Sequence, residues 1–301
     1  MAKRKRHIVE PMKITVLKAI IKEELLFLLG MPALIWQVLF LYVPLFWILG
    51  TSMISSDHTS WWKLTFSHYA TFFDLMYVRI IMRSLVLAGG AACSCLLLGY
   101  PVAYFLALHV TRAKNVLLFF ITLPFWTNFL IQIYAWFFLL NKNGFINALL
   151  LKMGVITEPL LLAHNQGAIF VVMTYCYMPF MIMPLYTVLQ KVDKRLLEAS
   201  LDLGASAWQT FWYVTVPLSW SGIRTGLLLV FVPAFGEFAI PTLVGGSKYM
   251  MVGSLISYYF LIMRDTALGS AFTCMSSIVL IVSCLVLYSI SRMLIRKERN
   301  I

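Results

Sequence analysis

The chain has 301 residues, of which 61% are hydrophobic and 12% charged, with a mean hydropathy of +0.86. Soluble domains are about 45–50% apolar and about 25% charged, so no water-soluble fold of this length could hide the excess, and disordered, collagen-like and disulfide-scaffold classes fall with it. Twenty-four Lys and Arg against 12 Asp and Glu leave a net charge of +12, which in a membrane chain points to basic residues gathered on the cytoplasmic side rather than to nucleic acid.

In chain order, residues 1–30 form a basic leader. Over 12–29, Ile14, Leu17 and Ile21 recur at helical spacing with Lys18 and Lys22 on another side. That pattern predicts an interfacial amphipathic helix, a plain solvated leader being the alternative. The apolar run that follows is too long, and too far from the basic cluster, for a secretory signal. A bilayer core takes roughly 20 mostly apolar residues per helix. Six such runs occur, at about 31–54, 83–108, 116–140, 167–189, 218–240 and 271–291, and make 31–301 a six-span, all-α integral membrane domain. The stretch 55–82 carries Asp57, His58, Lys63, Asp74 and Arg79 and is too polar to cross. Asn141-Lys142-Asn143-Gly144 is a turn signal.

Sorting the basic residues against these spans sets the orientation. Seven lie in the N-terminal segment, two in the second loop (Arg112, Lys114), three in the fourth (Lys191, Lys194, Arg195) and four in the tail. These sixteen share one side; seven lie opposite, and Arg224 falls near the start of the fifth span, where it can snorkel to the inner surface. Both termini are therefore expected in the cytoplasm. All five cysteines fall in predicted spans without metal-ligand spacing and read as packing residues. GxxxxGK[ST], HExxH, GxSxG and GxGxxG are all absent. No catalytic residue, metal or cofactor is expected on this chain.

The fourth loop, 190–217, is the most specific segment. Leu196, Leu197, Ser200 and Leu201 recur at helical spacing with charges between them. Gly204 can take the left-handed conformation that ends one helix and turns into the next, and Pro217 sets the entry to the fifth span. Two short helices joined by a glycine make a knob on the cytoplasmic face. Within it stand Glu198-Ala199-Ser200, three residues, Gly204, nine residues, and then Val214-Thr215-Val216-Pro217.

This segment resembles the EAA motif of ABC-importer permeases, written E-A-A, three residues, G, nine residues, I-x-L-P. The spacing is kept throughout; Ser replaces the second Ala, and Val replaces both Ile and Leu. The resemblance implies the type I ABC importer permease fold and makes the knob a coupling helix seated on a separate ATPase subunit. It gives Glu198, Ala199, Ser200, Asp202, Gly204 and Pro217 to that contact, with Glu198 facing a basic group on the ATPase. ATP and Mg belong to those partner subunits. A second homologous permease, two ATPases and a periplasmic or extracellular binding protein are the implied partners, in a bacterial inner membrane and without nucleic acid.

The likeness runs over about residues 30–292 and is strongest to the spermidine/putrescine permeases. Leu98-Gly99-Tyr100-Pro101, Leu123-Pro124-Phe125-Trp126-Thr127-Asn128, Met178-Pro179-Phe180 and Pro233-Ala234-Phe235-Gly236-Glu237 carry it. Relatives for ferric iron, opines or phosphonates are the alternative. Glu237 is the one acid inside a predicted span, with Pro233, Gly236 and Pro241 around it breaking the helix. It can serve a cationic substrate toward the outer end of the span, or it can pair with a basic residue such as Arg83 or one on a partner subunit. Trp126, Asn128 and Tyr134 are the aromatic and polar candidates for the same pathway, since an amine over a ring face gains roughly 0.5–2 kcal/mol. Interfacial anchoring of the aromatic rings is the alternative. A carrier driven by an ion gradient would show internal repeats and several intramembrane charges, which this chain lacks.

Overall fold

In the computed structural model, residues 30–54, 64–246 and 248–298 are described, with side-chain surroundings as far as Met293. The interfacial helix expected over 12–29 lies outside the described residues. In chain order the helices are α1 (Gly30–Thr51), α2 (Ser67–Thr71), α3 (Leu75–Leu108), α4 (Lys114–Trp126), α5 (Phe129–Leu140) and α6 (Phe145–Lys152). They continue as α7 (Gln166–Leu189), α8 (Lys194–Asp202), α9 (Ala207–Phe235), the single turn α10 (Pro241–Gly245), α11 (Val252–Met263) and α12 (Thr266–Glu298). The fold is all-α; among the described residues one isolated antiparallel bridge, Ile54 to Leu64, is the only extended pairing. Among the described residues five helices are long and apolar enough to cross a membrane, and a sixth crossing exists if the bent pair beginning with α4 counts as one.

The core is the packed trio α3, α7 and α9. Small residues line the contact: Ala88, Ala91, Ala92, Cys95, Gly99 and Ala103 on α3 are all buried. On α9, a Cβ at Gly226 would stand 2.5 Å from the Met181 sulfur, and one at Gly222 would stand 3.0 Å from the Pro184 carbonyl oxygen. Lipid offers no hydrophobic drive between helices, so close backbone approach and its dispersion energy hold them together. The more peripheral α1 buries no residue. It meets α12 through Thr51 Oγ1, which donates to Ser270 Oγ at 2.9 Å.

Three helix boundaries differ from the apolar runs in ways that matter for function. α3 starts at Leu75, with Asp74 extended at its N-cap, so Arg79 and Arg83 are helical. A helix projects past the apolar slab wherever its side chains can reach water. The third run is not continuous, because Thr127 and Asn128 are extended and the chain turns by 92° there. α9 starts at Ala207, within the fourth loop, and stops at Phe235, so Glu237 stands beyond the helix end.

Candidate functional site

The knob is built by local capping. Asp193 accepts from the Arg195 amide at 3.0 Å and starts α8. At its end the Ala205 amide returns to the Ser200 carbonyl at 3.2 Å, and the Gly204 amide to Leu201 at 2.9 Å. That double closure needs a left-handed residue, and Gly204 has φ +87°. Two residues on, Ser206 and Gln209 form a reciprocal capping box that starts α9. Ser200 and Thr210 hydroxyls meet at 2.9 Å and lock the two helices together.

The knob is rigid, and its outer surface is apolar. Leu203 is 89% exposed and Trp208 69%, with Trp208 stacked on Phe211 at 5.9 Å. Leu196, Ala199, Leu203, Tyr213 and Pro217 line a groove of about 570 Å³ between the two helices. Glu198, Asp202 and Gly204 are exposed beside it. Lys194 ties the knob to the bundle by donating to the Leu108 carbonyl at 2.8 Å. A cation there also complements the negative C-terminal end of α3.

The second constellation lies at the break after α9. Glu237 is 7% exposed. Its Oε1 accepts from the Ala239 and Ile240 amides at 2.8 and 3.3 Å, which restarts the chain as a helical turn. Its Oε2 accepts from the Tyr177 phenol of α7. Among the described residues these hydrogen bonds come from Tyr177, Ala239 and Ile240, and Arg83 is not a partner. The Arg83 guanidinium instead donates to the Lys248 carbonyl at 3.4 Å and lies 5.5 Å from the Tyr249 ring centre. Gly253, near the start of α11, packs on the backbone of Gly236 and Glu237 so closely that a Cβ would stand 2.8 Å from the Glu237 carbonyl oxygen. The adjacent Val252 amide donates to the buried Ser84 Oγ of α3 at 2.9 Å.

The bend between α4 and α5 reaches the same place. Asn128 caps α5 by accepting from the Leu130 amide at 2.9 Å. Gln132 donates to the Pro124 carbonyl, which also accepts from the Thr127 amide and hydroxyl, and to Thr127 Oγ1. Phe129 then packs against Tyr177 with ring centres 6.5 Å apart. Tyr177 therefore touches both breaks. Trp126 is 80% exposed and packs on Phe119 with ring centres 6.3 Å apart, and Tyr134 is half exposed. Sequence reasoning missed Tyr177 and Gly253, and gave Lys194 no role beyond its charge. Tyr177 sits in a uniformly apolar run, and nothing local marks a partner 60 residues away.

Residues 99–300 match the family described as binding-protein-dependent transport system inner membrane component. The spermidine/putrescine transport system permease protein PotB of Salmonella typhimurium (strain SL1344) is 41% identical over 268 residues, covering 88% of this chain and 93% of that protein. A solved bacterial ABC transporter involved in the import of the acidic polysaccharide alginate superposes with a TM-score of 0.76 at 18% identity, over 93% of this chain and 99% of the other. The alginate transporter in complex with its oligosaccharide-bound periplasmic protein gives 0.73 at 17% identity, over 92% and 97%. At those identities the structural likeness is one of fold.

Proposed function

The chain belongs to the family of binding-protein-dependent transport system inner membrane components, and from that premise we propose that it forms half of the translocation pathway of an ATP-driven polyamine importer. It is a non-catalytic, multi-pass membrane subunit. A second homologous permease supplies the other half, two ATPase subunits bearing ATP and Mg dock on the knobs, and a binding protein delivers substrate from outside. Both termini lie in the cytoplasm, as the sixteen-to-seven division of basic residues favours.

One observation carries the reading: α9 is one continuous helix, with a π turn over Phe211–Thr215, from the knob to the break at Glu237. It runs from Ala207 to Phe235, about 40 Å at roughly 1.5 Å per residue. The exposed apolar surface of the knob, with Glu198, Ala199, Ser200, Asp202, Gly204 and Pro217 on or beside it, gives the ATPase a rigid handle. Closure of the ATPases moves the knob, and a rigid helix conveys that movement to its far end. There the Glu237 carboxylate is closed off by Tyr177 and two amides. Loosening the break frees it to meet an ammonium group. Trp126, Asn128 and Tyr134, at and beyond the bend, are the remaining pathway residues, through ring faces and one amide. Spermidine and putrescine are the substrates favoured by the 41% identity to PotB.

Labelled spermidine and putrescine uptake by the assembled complex in proteoliposomes tests this reading. Uptake is expected to require internal ATP and the binding protein, and to survive a protonophore. Uptake that ignores ATP and collapses with the ion gradient would establish a secondary carrier instead. Uptake displaced by ferric iron, opines or phosphonates, but not by polyamines, would reassign the substrate.

A further inference from the structure

Leu108 meets the knob through Lys194, so the start of α3 lies at the other end of the bundle, about 50 Å away along the helix. There Arg79 and Arg83, one turn apart on α3, converge with Lys248 from the segment after α10. With Met76, Ile80 and Met250 they enclose a concavity of about 420 Å³. Arg83 is held by the Lys248 carbonyl and the Tyr249 ring. Arg79 and Lys248 are exposed. None of the three has an ion-pair partner among the described residues. Asp74, the acid nearest in sequence, is exposed at the N-cap.

Beyond the two Arg83 contacts, this arrangement carries an electrostatic cost. Like charges four residues apart on one helix repel, and Lys248 lines the same hollow. Three cations in one hollow also repel a polyamine, so the hollow does not hold the substrate. An anion relieves all of these costs together. Guanidinium groups pair with carboxylates through two parallel hydrogen bonds, which fix orientation as well as charge.

We propose that the Arg79–Arg83–Lys248 concavity receives a carboxylate-rich patch on the substrate-binding protein. This rests on the importer reading above, in which the binding protein approaches the end of the bundle opposite the ATPases. Complementary charge at the rim of an interface speeds encounter and sets register. The polycationic cargo is meanwhile steered off the hollow toward the pathway.

The test uses the assembled complex in nanodiscs of phosphatidylcholine, alone or with added phosphatidylglycerol, titrated with the binding protein of the same transporter. ATPase rates are normalised to the basal rate of each preparation. The paired substitution Arg79→Glu and Lys248→Glu is expected to raise the half-saturating binding-protein concentration about tenfold or more and to flatten its dependence on salt. The paired Arg79→Gln and Lys248→Gln should give a smaller rise and read the same quantity should the charge reversal not assemble. An unchanged half-saturating concentration and salt dependence would overturn the proposal. So would an effect confined to discs containing phosphatidylglycerol, which would make the hollow a lipid headgroup site. A wild-type ATPase that ignores the binding protein would instead remove the importer reading, and this proposal with it.

Discussion

The phenol of Tyr177 donates to the carboxylate of Glu237, joining the middle of α7 to the break that follows α9. Because Phe129 packs on the same tyrosine ring, the bend of α4 and α5 rests on that link as well. Two interruptions in the helical framework thus share one aromatic side chain. A shift of either is felt by the other through direct contact, which is what a pathway that opens and closes requires.

Removing the acid separates its structural from its transport role. Glu237→Ala leaves two buried amides and a buried phenol without an acceptor, and should cost about 2–4 kcal/mol in resistance of the purified complex to thermal unfolding. Glu237→Gln keeps an oxygen for the Ala239 and Ile240 amides and should cost about 1–2 kcal/mol. If Glu237→Gln transports polyamine at the wild-type rate, the carboxylate charge has no part in the pathway.

Two glycines near this break should respond in opposite ways. Gly253→Ala drives a methyl group into the Gly236 and Glu237 backbone and should destabilise by about 2–3 kcal/mol, visible as a lower unfolding temperature. At Gly236 a Cβ meets nothing within 4 Å and φ is −86°, so Gly236→Ala should be nearly neutral. Equal losses at the two positions would contradict this packing.

In the knob, Gly204 is free of steric neighbours and constrained only by its left-handed backbone. Gly204→Ala should cost about 1 kcal/mol of local conformational strain, and Gly204→Asn less. Gly204→Asp adds charge beside the apolar groove. It should leave the protein inserted while lowering both ATPase co-purification and uptake. Survival of both would disprove the coupling role of the knob.

Lys194 offers a lighter cut in the same linkage. Lys194→Ala removes the tie to the Leu108 carbonyl and should lower stability by about 1 kcal/mol or less, since the contact is only part-buried. Transport per ATP hydrolysed is expected to fall, because the knob can then move without carrying α3. An unchanged ratio of uptake to hydrolysis would assign the tie to local packing alone.

Much of this molecule is written in short-range signals. Apolar runs of bilayer length, the placement of basic residues, the Glu198-to-Pro217 spacing and the glycine turn at Gly204 all depend on residues within a few turns of one another. Caps such as Asp193, Ser206 and Asn128 act the same way, since each bonds an amide two or three residues ahead. Helix ends were less legible, because an apolar run marks where lipid is tolerated and not where the helix stops. Arg79 lies inside α3, and Glu237 lies outside α9, for that reason.

The excess of apolar residues by itself implies a membrane bundle, and the placement of the basic residues gives its expected orientation. Which partner a lone intramembrane acid takes was beyond their reach. Arg83, the natural electrostatic candidate, turned to a carbonyl and a ring at the bundle end, and a tyrosine from an uninterrupted apolar run took its place. Pairings across 60 residues arise only when close-packed helices bring particular faces together, and the small residues along α3 and α9 set how near those faces come. Composition registers none of that geometry, because a tyrosine hydroxyl facing lipid and one facing Glu237 are spelled alike.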